Sequence, residues 1–180
     1  MKKIYKLILL KALLFLLIIS CNSNQETTED YIDQITNTNK ILDINLFISK
    51  GFKEVKNYDV SELDGGISAH FGWLKDDVNN PRDYELRFYA NHSYALKSIN
   101  IIKEVIGKNA ILASRDVSWK EGNSDRRVNR RGAGSGPGSA KAKYLYYLIY
   151  ENVVILCEGL DEDESIKLCN SIINKINLSY

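Results

Sequence analysis

Residues 143–158 read KYLYYLIYENVVILCE, and this stretch constrains the fold more than any other. Two runs rich in Val, Ile and Tyr, residue types that suit a pleated half-buried surface, are separated only by Glu151-Asn152. A two-residue connection between such runs predicts a tight antiparallel hairpin. A helix follows at once. Asp161, with Glu164 three residues later, makes a capping-box-like start. Ile166, Cys169, Ile173 and Ile176 then fall on one helical stripe.

The same order of elements occurs earlier. ILDINLFISKG (41–51) reads as a short helix, with Gly51 at the left-handed position that ends many helices. FKEVKNY (52–58) reads as a strand or extended link, and DVSELDGG (59–66) as a turn. ISAHFGW (67–73) and DYELRFYA (83–90) are strands joined through the loop-like DDVNNPRD (76–83). In the second strand Tyr84, Leu86 and Phe88 share one face, and Glu85 and Arg87 the other. Asn91 can cap a helix running to about Lys103, with Ala95, Ile99, Ile102 and Ile106 on its stripe and Gly107 ending it. Residues 109–119 read as a short edge strand. The expectation is one α+β domain over 41–180. It is a two-layer sandwich, an antiparallel sheet covered on one face by two helices, built from two strand–strand–helix units. A long basic Gly-rich insertion, 115–143, separates the units.

Within that insertion residues 125–143 read DRRVNRRGAGSGPGSAKAK. Gly132, Gly134, Gly136 and Gly138 give an alternating pattern with no Gly-Lys-Ser/Thr, so it is not a Walker loop. A dinucleotide loop follows a strand and opens a helix. Here arginine pairs precede the glycines and a strand follows them. Glycines are costly to order, so a flexible, solvated insertion is expected. Its candidate ligand contacts are Arg126, Arg127, Arg130 and Arg131, which on one side of a helical turn would grip an anion bidentately. An anionic lipid or a cell-wall polymer is the partner that chemistry suits.

The other end of the chain speaks of location. MKKIYKLILLKALLFLLIISC opens with lysines, continues with an apolar run and stops at Cys21. The run from Leu7 to Ile19 falls short of the about 20 apolar residues a spanning helix needs, and the pattern is that of a secretory signal peptide, residues 1–20. Ile18-Ile19-Ser20-Cys21 resembles the lipobox of bacterial lipoproteins. That resemblance implies cleavage before Cys21, acylation of its thiol and attachment of the mature chain to a membrane. Several acyl chains on one cysteine hold a protein far more firmly than one. Residues 21–40, rich in Asn, Thr and acids, read as the anchor and a polar tether. The expected place is the cell membrane or outer membrane, with the domain on the extracytoplasmic side.

Charge agrees with export. The chain has 24 basic and 23 acidic side chains, and four of the lysines lie in the first 11 residues. Residues 115–143 hold eight basic and three acidic side chains, so the rest of the mature chain is acidic, twelve against twenty. A nucleic-acid binder is more often basic throughout, and none is expected as a partner.

Catalytic signatures are sparse. His70 and His92 have no Ser/Cys–His–acid context such as a nucleophile elbow, and a structural or surface role is expected of each. No Cys/His cluster with zinc spacing occurs, and the acids at 161–164 lack the spaced ligands of a calcium loop. Neither a metal nor a cofactor is expected. Trp73 and Trp119 could stack on a ligand, but single tryptophans are more often packing residues, and they are read so here. Cys157 and Cys169 both fall on buried faces. An oxidising compartment favours a disulfide between them, whereas a strand–helix layer spacing of about 10 Å is a poor match to the bond, and the residues leave both states open. The stretch YLYYLIYENVVILCEGLDEDESIKLC resembles uncharacterised bacterial lipoprotein domains, which implies no activity. The functional expectation is a lipid-anchored extracytoplasmic binding or interaction domain, not an enzyme. The alternative is an anchored hydrolase whose site assembles from scattered residues; a pocket holding His70 or His92 beside a carboxylate would favour it.

Overall fold

The computed structural model describes residues 31–112, 116–121, 128–129 and 140–178. Cys21 and the arginines at 126, 127, 130 and 131 lie outside them. In chain order the elements are β1 (Ile35–Thr36), α1 (Ile44–Ser49), β2 (Lys53–Tyr58), β3 (Gly66–Lys75) and β4 (Pro81–Tyr89), then α2 (His92–Lys97), α3 (Ile99–Lys103), β5 (Tyr144–Tyr150), β6 (Val153–Glu158) and α4 (Glu162–Asn177). The strands form one six-stranded sheet ordered β1-β5-β6-β4-β3-β2. Every pairing is antiparallel except β1 with β5, which is parallel and makes the sheet mixed.

Local chemistry accounts for most boundaries. Asp43, Asn91 and Asp161 are N-caps, each side chain accepting a bond from a first-turn amide: Leu46, Tyr94 and Glu164 respectively. Gly51, at φ 99°, closes the turn after α1. The helix expected from Asn91 to Lys103 breaks into α2 and α3 at Ser98, whose hydroxyl bonds back to the Ala95 carbonyl. Among the described residues of 109–119 there is no strand.

The α+β class is as expected, but the helices do not share a face. Tyr84, Leu86 and Phe88 of β4 pack with Val153, Ile155 and Cys157 of β6 against Leu168, Ile172 and Ile176 of α4 and Phe47 of α1. Val154 and Leu156 of β6, Ile149 of β5 and Tyr89 of β4 pack on the opposite face against Ala95 of α2 and Ile102 of α3, with Val105, Val117 and Trp119. The molecule therefore has three layers. The reason is β6: all six of its residues are buried, so both faces of the sheet have to be covered.

Two segments depart from their sequence reading. Residues 31–40, assigned to the tether, are docked along β5. The Gln34 and Thr36 carbonyls accept from the Ile149 and Glu151 amides, and Asn170 Oδ1 accepts from the Ile32 amide. Residues 116–121, 128–129 and 140–143 belong to the insertion expected to be solvated, yet Val117, Trp119, Asn129 and Ala142 are all buried. Asn129 ties this segment to the domain by donating to the Gly159 carbonyl and, from its amide, to Lys141.

The β5–β6 turn holds the N-terminal segment in place. Glu151 has φ 57°, a region non-glycine residues rarely enter, and is fully buried. Its carboxylate accepts from the Thr38 amide and hydroxyl and from the Lys40 amide at 3.0 Å. Asn152 spans the other side, accepting from the Leu42 amide and donating to the Leu42 and Tyr89 carbonyls. His92 Nδ1 faces the Glu151 carbonyl, which can only accept, so that nitrogen carries the proton.

Cys157 and Cys169 are joined in a disulfide with Cα atoms 5.6 Å apart. The layer spacing is overcome locally. Ser165 and Cys169, one helical turn apart, turn small side chains toward β6, and the Ser165 hydroxyl bonds the Cys157 carbonyl. A Cβ on Gly159 would lie 2.6 Å from the Asp161 carbonyl and 2.8 Å from Ser165, so only glycine lets the chain turn so closely into α4.

Two measurements check this account. Burial pushes the Glu151 carboxyl up, but the bonds from Thr38 and Lys40 outweigh it and hold its pKa below the ordinary value. Its contribution to stability is complete above the unfolded carboxyl pKa and is lost as pH falls through the lower folded one. Glu151→Gln should therefore cost about 1–3 kcal/mol at neutral pH and less in acid, read as converging denaturation midpoints. Replacing both cysteines with alanine should lower unfolding free energy by about 3 kcal/mol, the loop-closure value for a bridge of this span; an unchanged denaturation curve would contradict a bond in the native protein.

Candidate functional site

Four strand ends from distant parts of the chain meet on the α2–α3 face of the sheet. Trp73 of β3 is paired with Asp83 of β4. Next across the sheet comes Glu158, the last residue of β6, and it is paired with Tyr144 at the start of β5. The order β5-β6-β4-β3 thus gathers Trp73, Asp83, Glu158 and Lys143 around one cleft of about 450 Å³, completed by Lys75, Pro81 and Asn129. Lys143 Nζ reaches Asp83 Oδ2 at 2.8 Å and stands 4.6 Å over the Phe71 ring. The cleft therefore offers a partly exposed indole, two ammonium groups and two carboxylates. A larger cavity of about 830 Å³ is lined by Lys108 and Lys141, by Asp161, Glu162 and Asp163, and by Leu112, Leu145 and Leu160. Its volume is greater, but the smaller cleft combines an aromatic face with polar groups set by regular strands. Rigid elements position polar groups better than loop ends do, so the cleft is the better candidate.

Along the same face of β4, one pleat from Asp83, comes a buried ion pair. Arg87 Nε donates to Glu85 Oε1 at 2.7 Å, and both side chains are fully excluded from water. The guanidinium lies 4.8 Å from the centre of the Trp119 ring, and Tyr58 meets that ring edge-on at 6.1 Å. Burial alone would lower the Arg87 pKa, yet the Glu85 carboxylate and then Tyr89 keep it above the ordinary value. Trp119 is pinned by its indole bond to the Asp59 carbonyl, and its neighbour Ser118 bonds the Glu104 carboxylate through both amide and hydroxyl.

His70 stands on the other face. It is buried, its Nδ1 lies 3.2 Å from Glu54 Oε2, and its ring meets Phe88 edge-on. Burial pushes its pKa below the ordinary value against the pull of Glu54. A histidine beside a carboxylate is present, then, but it lines neither cavity. His92 serves the β5–β6 turn. Among the described residues no group of three or more His, Cys, Asp or Glu side chains could hold a metal ion, and no helix is long and apolar enough to cross a membrane.

Residues 43–178 match a family described as a family of unknown function, DUF6810. The chain belongs to that family. The match opens on Asp43, the cap of α1, and closes on Leu178, the cap of α4, so it takes in every element but β1. No curated protein and no solved structure matches the chain.

None of Asp83, Glu85, Arg87, Lys143 and Glu158 was singled out as a site residue from sequence. Glu85 and Arg87 alternate with apolar residues and so look like a solvated strand face. The signal against that reading is VVILC (153–157), an unbroken apolar run of the kind found in strands buried on both faces. Because the pair is buried, Glu85→Gln should destabilise by about 3–5 kcal/mol by leaving Arg87 uncompensated, whereas a Glu85→Leu, Arg87→Met double variant should lose much less. Urea denaturation of the single and double variants checks this; equal losses would mean the ion pair is not the cause.

Proposed function

We propose that the protein is a lipid-anchored binding domain on the extracytoplasmic side of a membrane, held there through Cys21. The observation that carries the location is the Cys157–Cys169 disulfide. Such bonds persist in oxidising compartments and are rare where thiols are kept reduced, so the bond supports the export that the lipobox implies. The binding reading draws on the cleft around Trp73, Asp83, Lys143 and Glu158. Its size falls in the range of small-molecule sites, and its mixed charges around an indole suit a small polar ligand better than an apolar one. Arg126, Arg127, Arg130 and Arg131 would add attraction to an anionic lipid or wall polymer, weakened by salt. The hydrolase alternative has the His70–Glu54 contact in its favour, but that pair opens onto neither cavity and has no room there for a substrate.

Mass spectrometry of the membrane-fraction protein tests the anchor. The mature chain should begin at an acylated Cys21, and Cys21→Ala should leave the protein unprocessed or shift it out of the lipid-anchored fraction. An unmodified peptide starting at Met1 in the wild type would sink the proposal.

A further inference from the structure

We propose that the cleft at Trp73 takes an acidic saccharide, with a sugar ring stacked on the indole and its carboxylate held by Lys53 and Lys75. The inference rests on the binding role given to that cleft and names the chemistry of its occupant. Trp73 is partly exposed on β3. Its partner across one pairing is Lys53 of β2, and across the other Asp83 of β4. Residues directly opposite one another share a face, so the three side chains stand on the same side of the sheet. Lys75, two residues on, returns to that face and lines the cleft with Trp73.

The charges on this face are not equally engaged. Lys143 donates to Asp83 Oδ2, and its ammonium stands over the Phe71 ring. Lys53 and Lys75 are exposed, and neither makes an ion pair among the described residues. They are diagonal neighbours in the β2–β3 pairing, about 7–8 Å apart at the backbone, so two long side chains can meet at one carboxylate. Two uncompensated ammonium groups beside an indole favour an anion carried on a flat-faced body.

The other side of Trp73 narrows the body. An ionised carboxylate accepts hydrogen bonds and gives none. Asp83 takes the Lys143 ammonium on Oδ2, and its Oδ1 accepts from no described residue. A ligand that covers Asp83 therefore has to bring a donor, since an acceptor left unpaired on desolvation is costly. An aromatic acid offers the indole a face and the lysines a charge, but turns only C–H groups toward Asp83. A glycerophosphate headgroup offers a charge and hydroxyls, but no face for the indole. A sugar acid meets all three conditions. The slightly positive C–H groups of its ring lie on the negative face of the indole, a hydroxyl donates to Asp83, and the carboxylate meets the lysines.

The test uses the full chain in detergent micelles with its disulfide intact. Indole fluorescence is followed during titration with trigalacturonate, and with maltotriose, benzoate and glycerol phosphate in parallel. A saturable change is expected with trigalacturonate, with affinity about tenfold or more weaker for each of the others. Trp73→Phe should remove the change, because the remaining Trp119 is buried and does not line the cleft. The Lys53→Gln, Lys75→Gln double variant alters two exposed positions and should keep native circular dichroism. It should bind trigalacturonate about tenfold or more weakly and leave the maltotriose response unchanged, whereas the Lys53→Arg, Lys75→Arg variant should bind as the wild type does. Maltotriose or benzoate binding as tightly as trigalacturonate would overturn the sugar-acid ligand and leave the cleft a site for other chemistry. Glycerol phosphate binding as tightly would overturn it in favour of a lipid headgroup. An unchanged trigalacturonate affinity in the glutamine variant would remove the lysines from the site and overturn it too. No response to any of the four would overturn the inference and the binding role of the cleft together.

Discussion

Strand β6 has no face to give to water. Its neighbours are β5 and β4, and every side chain from Val153 to Glu158 is buried. Apolar area removed from water contributes roughly 25 cal/mol per Å², so a central strand of this kind is a large gain only if both of its faces are covered. Covering one is straightforward, because α4 follows β6 through the short Gly159–Leu160 link and folds straight back over Cys157 and Ile155. Among the described residues the other face has no helix of comparable length. It is closed piecemeal by α2, α3 and the stretch carrying Val117 and Trp119. The long segment between α3 and β5 thus supplies part of the core, and its described residues are not an appendage to a finished domain.

The same strand explains the turn. Glu151 and Asn152 join β5 to β6 at a point where the chain is buried and cannot rely on water for hydrogen bonds. A buried carboxylate without partners would be strongly unfavourable. Thr38 and Lys40 supply its donors, and Asn152 bonds Leu42, so the turn and the residues before α1 complete one another. The left-handed conformation at Glu151 is tolerable because its side chain is held on the far side by this network.

How much of this the sequence disclosed follows from where each signal resides. Caps and turns are local, and Asn91, Asp161, Gly51 and Glu151-Asn152 all mark true boundaries. The face each helix chooses is not local. Both α2–α3 and α4 have apolar stripes, and a stripe does not say which side of a sheet it meets; only the unbroken apolar run of β6 required two covered faces. Residues 31–40 looked unstructured because their composition is polar, yet most of their bonds to the domain come from backbone amides and carbonyls, which composition does not reveal. Trp119 could be read as a packing residue, but nothing near it in sequence names Arg87 as its partner. The cleft was illegible for the same reason: Trp73 could be noticed alone, but Asp83, Lys143 and Glu158 become its neighbours only through the strand order.

The charged row on β4 links these themes. Asp83, Glu85 and Arg87 occupy alternate positions on one strand, and they pass from a cleft wall at one end to full burial at the other. An apolar Leu or Met at 85 and 87 would pack under Trp119 at no desolvation cost, and such replacements are often neutral or stabilising. A buried ion pair in their place is weak evidence for stability and better evidence for some other demand on the position. The pair does fix one thing an apolar pair would not. Glu85 holds the guanidinium by Nε alone, which sets the direction of its remaining N–H bonds and leaves Trp119 to lie over its face. Among the described residues the second layer is built from α2, α3 and the Trp119 stretch, and it is the full burial of β6 beneath them that requires a non-helical segment to help complete it.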